Sequence, residues 1–208
     1  TTESADDSCY YEFPDILINE IHYNPCSAQG NDFDHEFVEL LNVGDVTVDL
    51  SGYEFYNQSG GLDQLSVVFP VGTNLAAEEF ILIVPSDAGA ANYANVQAQT
   101  FVMAQGNFSN SGEALSLRDA LGNVVNAVSY DDAAPWPAAS LGILGHNYVE
   151  SPDGGCATLE YIPEVLDQYL LGVSGTENDL SGNWQASWVA NGTPGAPVSY
   201  THLRAHET

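Results

Sequence analysis

From Pro14 onward the chain is a series of short runs in which apolar residues recur at every second position. Gly, Pro, Asn or Asp closes each run. A repeat of two is the signature of a strand whose alternate side chains turn to opposite faces, and such closing residues supply the turns. DILINEI (15–21) sets Ile16, Ile18 and Glu20 on one face and Leu17, Asn19 and Ile21 on the other. HEFVELLN (35–42) sets Phe37, Glu39 and Leu41 against Val38 and Leu40. VTVDL, GYEFYN, LSVVFP, EFILIVP, EALSLRD, NVVNAVSYD and TLEYI follow in the same style. RDALGNVV reads as a hairpin around Gly122 and Asn123. VFPVGTNLAAEEFILIV reads as two strands joined by a turn. Only SDAGAANYANVQAQ (86–99), rich in alanine, suits a short helix. Many short strands without alternating helices predict an all-β sandwich or barrel. With 208 residues there is room for one domain with a sizeable core. It is expected over 14–197, after an acidic linker at 1–13.

The charge balance narrows the partners. Asp and Glu number 29 against 2 Lys plus Arg, for a net charge of -27. Such an excess cannot be paired internally and repels itself unless salt or bound cations screen it. Saline or calcium-rich surroundings fit that surface. Nucleic acid does not, because phosphate contacts need Lys and Arg. No apolar run approaches the roughly 20 residues of a membrane-spanning helix, so direct membrane insertion is not expected.

The final stretch, VSYTHLRAHET (198–208), departs from this composition and resembles translated sequencing-adapter sequence. It is set aside as a non-native tail. Without it Arg118 is the one remaining basic side chain among Lys and Arg. The natural C-terminus is then expected to be missing. Three cysteines, Cys9, Cys26 and Cys156, allow one disulfide. Cys26–Cys156 is the preferred pair because Cys9 lies in the polar lead-in, and three unpaired thiols stand as the open alternative.

The densest cluster of polar chemistry is INEIHYNPCSAQGNDFDHEFVELLN, from Ile18 to Asn42. In its centre Asn31, Asp32, Asp34 and Glu36 offer the hard oxygen ligands that calcium takes, although without the spacing of an EF-hand loop. A solvated acidic loop is the plainer reading of the same letters. His22, His35 and Cys26 lack the paired short spacings of a zinc site. Cys26 lies near both histidines, but a thiolate among carboxylates is disfavoured. No nucleophile elbow, phosphate loop or dinucleotide fingerprint occurs. Trp136, Trp184 and Trp188 are assigned to the ends of a sandwich core rather than to an exposed contact surface.

Several of these phrases, taken in order, resemble the lamin-tail domain in its bacterial secreted form. They are INEIHYNP, EFVELLNVGDVTVDLSGYEF, FPVGTNLAAEEFILIV, NSGEALSLRDALGNVVNAVSYDDAAPWP, GGCATLEYI, WQAS and NGTPGAP. The resemblance implies an immunoglobulin-like β-sandwich, here with one long inserted loop at 138–153. It further implies a non-catalytic module of a larger secreted or cell-surface protein, serving adhesion or tethering, and no catalytic residue or required cofactor carries over. Partners would be neighbouring domains of the same polypeptide and an extracellular protein or glycan. Two other readings stay open. One is a metal-dependent hydrolase of phosphate esters built on Glu20, Asp32, Asp34 and Glu36; the other is a purely structural spacer.

Overall fold

The structure is a computed structural model that describes residues 15–59, 61–138, 151–172 and 177–198. The linker at 1–13, most of the loop at 138–153 and residues 199–208 lie outside the described residues. Twelve strands are present among those described: β1 Ile16–His22, β2 Phe37–Asn42, β3 Val48–Asp49, β4 Glu54–Ser59, β5 Leu62–Val68 and β6 Asn74–Leu75. They continue with β7 Phe80–Val84, β8 Ala98–Val102, β9 Glu113–Arg118, β10 Val124–Tyr130, β11 Leu159–Tyr161 and β12 Trp184–Ala186. Two short helices join them, α1 Asp87–Asn92 and α2 Pro163–Leu170.

One sheet has six strands in the order β12-β11-β1-β2-β7-β8, and a facing sheet has four in the order β10-β9-β4-β5. A small β3-β6 pair stands beside them. All pairings are antiparallel except β7 with β8. This is an all-β sandwich, as the period-two runs anticipate, and of the immunoglobulin-like kind that the resemblance implies. The β9–β10 hairpin forms where RDALGNVV places it. VFPVGTNLAAEEFILIV is not a hairpin: β5 and β7 belong to opposite sheets, and β6 between them pairs with β3. The helix at 86–99 is shorter than its alanine content suggests, because residues from Ala98 join the sheet edge as β8.

The core lies between the two sheets. Ile18, Ile21, Val38, Leu40, Ile81 and Ile83 meet Phe55, Leu115, Leu117 and Val128 there, all buried. Trp136 and Trp184 close one part of it, with ring centroids 5.9 Å apart, and Trp184 also meets Tyr161. Strand β1 corrects the simple alternation. A register shift between Ile18 and Glu20 puts Ile21 opposite Val38 and Glu20 opposite Glu39. A bulge of this kind adds one residue and flips the faces beyond it. The backbone of Ile18, displaced at the bulge, is satisfied from outside the sheet. Its N–H donates to Asn126 Oδ1 at 3.0 Å, and its C=O accepts from Asn178 Nδ2 at 3.1 Å. Every residue of β1 is buried, so both of its faces are covered.

Candidate functional site

On the outer face of the six-stranded sheet, three glutamates stand in one row. Glu160 of β11 is opposite Glu20 of β1, and Glu20 is opposite Glu39 of β2. All three are fully buried. These three acids are therefore not part of the solvated surface. The loop NGTPG at 191–195 covers Glu20 and Glu39. Thr193 N–H donates to Glu20 Oε1 at 3.0 Å, and Gly195 N–H donates to Glu39 Oε2 at 2.6 Å. Thr158 Oγ1 donates to Glu20 Oε1 at 2.6 Å, and Asn19 Nδ2 donates to Glu39 Oε1 at 2.8 Å. Carboxylates among backbone N–H groups ordinarily become stronger acids, whereas burial and like charges weaken them. Here burial dominates. Glu39 is pushed up to about 8, and Glu20 is held well above the usual carboxylate range by burial, with Glu39 and Glu160 adding to it.

The loop owes its approach to glycine. Asn191, Gly192 and Gly195 all have positive φ, near 70°. A Cβ on Gly192 would overlap Glu20 Oε1 and crowd Thr158.

A second pair of carboxyls works at one end of the sandwich. Glu36, just before β2, accepts from Phe108 N–H at 2.9 Å, and Glu113, at the start of β9, accepts from Ser109 N–H at 3.0 Å. Glu113 also accepts from the Tyr130 hydroxyl and from Asn57 Nδ2. Adjacent backbone donors of one loop are thus fastened to both sheets. Burial pushes each of these carboxyls up to about 7.

The residues nominated for calcium are distributed among separate neighbours. Asn31 is exposed and donates to Asp34 Oδ2 at 3.1 Å. Asp32 and Asp34 lie in a 3-10 turn. Asp32 accepts from Asn110, and Asp34 Oδ1 accepts from Ser86 Oγ, the hydroxyl that caps α1 through Gly89 N–H. Glu36 turns inward to Phe108. The hydrolase set is likewise dispersed, since Glu20 is tied to Thr158 and Thr193. Among the described residues, no three His, Cys, Asp or Glu side chains are grouped so as to hold a metal ion.

His22 is buried beside Phe37 with Nε2 3.1 Å from Gln29 Oε1, and burial lowers it to about 4. Cys26 is joined to Cys156 in a disulfide, which removes it as a nucleophile. Sequence reasoning missed Glu160 and the loop at 191–195 in the glutamate row, and Glu113 as the partner of Glu36 at the end of the sandwich. A signal was present: INEI, VEL and LEY each set a glutamate inside an apolar run, where an unpaired charge has no reason to be.

No curated protein matches the chain. The family model of the Lamin Tail Domain matches residues 11–132, more than half of its length, and includes β1, β2, β9, β10 and the acidic stretch. With the immunoglobulin-like sandwich in place, the chain belongs to the lamin tail domain family.

Proposed function

We propose that this domain is a non-catalytic module of a larger secreted or cell-surface protein, where it adheres to or tethers an extracellular partner. The observation that carries this reading is the use of its buried carboxyls: Glu20, Glu36, Glu39 and Glu113 each accept a backbone N–H of a covering loop. Groups fixed in that way support the fold and leave the work of the domain to its surface. The Cys26–Cys156 disulfide, closing 130 residues, suits an oxidising compartment. The acid surface suits partners that are neutral or cationic, and disfavours nucleic acid.

Two measurements test the reading. Phosphomonoester and phosphodiester substrates are offered with magnesium, manganese, calcium or zinc, to the wild-type chain and to Glu36→Gln. The expected rates are equal and at background. Metal-dependent turnover that Glu36→Gln abolishes would make the domain an enzyme. Chain recovered from a secreted source is also alkylated before and after reduction. The expectation is that Cys26 and Cys156 react only after reduction; reaction of both beforehand counts against an oxidising location.

A further inference from the structure

We propose that the end of the sandwich between the β4–β5 hairpin and the loop at 106–112 binds a neutral oligosaccharide. This names the partner class for the binding-module reading and rests on it. A hollow of about 550 Å³ opens there, inside the roughly 300–1,000 Å³ range of small-molecule sites. Gln58, Gln64, Asn107, Asn110, Ser109 and Glu113 line it, with glycines among them. A second hollow of about 370 Å³ shares Gln58, Gly112 and Glu113, and runs on to Ala134, Pro135 and Trp136. The shared residues make the two hollows neighbours on one end of the sandwich.

The chemistry of the lining selects the ligand. A carboxamide both donates and accepts hydrogen bonds, as a sugar hydroxyl does, and the carboxyls of Glu113 and Asp131 add acceptors for further hydroxyls. No Lys, Arg or His lines either hollow, which leaves phosphate and carboxylate ligands without a counter-charge. Arg118 is engaged elsewhere, paired with Asp63 and lying 4.2 Å from the Tyr56 ring centroid. Glu113, the carboxyl of the first hollow, is already held by Ser109, Tyr130 and Asn57. It is thereby fixed as an acceptor rather than left free to gather a cation. Exposed Ala134 and Pro135, beside the edge of Trp136, supply carbon surface for the C–H face of a pyranose ring.

The walls are also set in advance. Phe108 and Ser109 are pinned through Glu36 and Glu113, and Asn57 Nδ2 holds Asn107 C=O at 3.2 Å. A site ordered before the ligand arrives loses less entropy on binding. The Gln64 carboxamide lies with Oε1 against Gly106 and takes no hydrogen bond from the other described residues. It is the group most available to a ligand.

The test is electrophoresis of the full chain through native gels containing laminarin, barley β-glucan, galactomannan, xylan or soluble starch, with alginate as the polyanionic control. Retardation is expected in at least one neutral gel and not in alginate. Gln64→Ala and Gln58→Ala should each weaken it at least tenfold at unchanged melting temperature, while Asn95→Ala, an exposed amide beyond α1, should not. Oligosaccharide from the retarding polymer should slow hydrogen exchange across 106–110 in the wild type, a readout that needs no variant. Free migration in all five neutral gels, retardation by alginate, or equal retardation of wild type and both cleft variants overturns the assignment. If the glycan gels fail while the phosphoester assays stay at background, the glycan assignment falls alone. Metal-dependent turnover would sink the module reading itself.

Discussion

Glu20 and Asp34 are acidic residues fourteen positions apart in one polar stretch, and they sit in opposite environments. Glu20 is sealed under the loop at 191–195, between Glu39 and Glu160. Asp34 is half exposed and steadies the cap of a one-turn helix through Ser86. The difference lies in what water can replace. Solvent can take over at Asp34 if Ser86 is lost, whereas at Glu20 a lost donor or acceptor leaves a buried partner unsatisfied. Acidity alone therefore does not assign a role in this chain; depth does.

The largest test of that contrast is pH. The folded-state values of Glu36, Glu39 and Glu113 lie above the unfolded carboxylate value, so the folded protein binds more protons than the unfolded chain between the two. Their contribution is complete below about pH 4.5 and is lost as pH rises through about 7 for Glu36 and Glu113 and about 8 for Glu39. Urea unfolding should show a loss on the order of several kcal/mol between pH 5 and 9. Glu39→Gln should flatten the upper part of that slope. A stability that rises over this interval would contradict the buried-row account.

Next in size is Gly192→Ala. Its positive φ and the overlap with Glu20 Oε1 combine a backbone and a packing penalty, for a loss of about 3 kcal/mol or more in urea. Smaller still is the paired comparison of truncations. Glu20→Ala should cost about 2–3 kcal/mol, because it strands Thr158 and Thr193, and Asp34→Ala about 1 kcal/mol or less. Equal losses by calorimetry would remove the distinction between the two regions.

The letters disclosed the strands better than the places where strands meet. Period two located β1, β2, β4, β9 and β10, since those runs are long and apolar on at least one face. It passed over β6, β8 and β12, which are two to five residues long and carry Asn, Gln or Ala where a pattern would need apolar side chains. It also passed over α2, whose first turn begins at Pro163 directly after the run TLEYI. The disulfide was legible as a preference because one cysteine stood in a polar lead-in, and the structure joins Cys26 to Cys156. The glutamate row was not. Glu20 and Glu160 are 140 positions apart, and only the pairing of β1 with β11 makes them neighbours. The bulge at Asn19 hid the face on which Glu20 lies, because one inserted residue reverses the parity of everything after it. The acidic turn misled in the other direction: closely spaced carboxylates suggested one shared ligand, and each instead meets a different element of the fold.

The fastening of Glu20 and Glu39 by residues near the far end of the chain bears on where this domain can be cut. The family match stops at residue 132, yet Thr193 and Gly195 supply donors to the sheet's most buried acids, and β11 and β12 form one side of that sheet. A gene fragment trimmed to the matched segment would strip the lid from a row of buried carboxyls and expose a bare strand edge along β1. Boundaries for expression, grafting or fusion belong after Pro197, beyond the loop that holds Glu20 and Glu39.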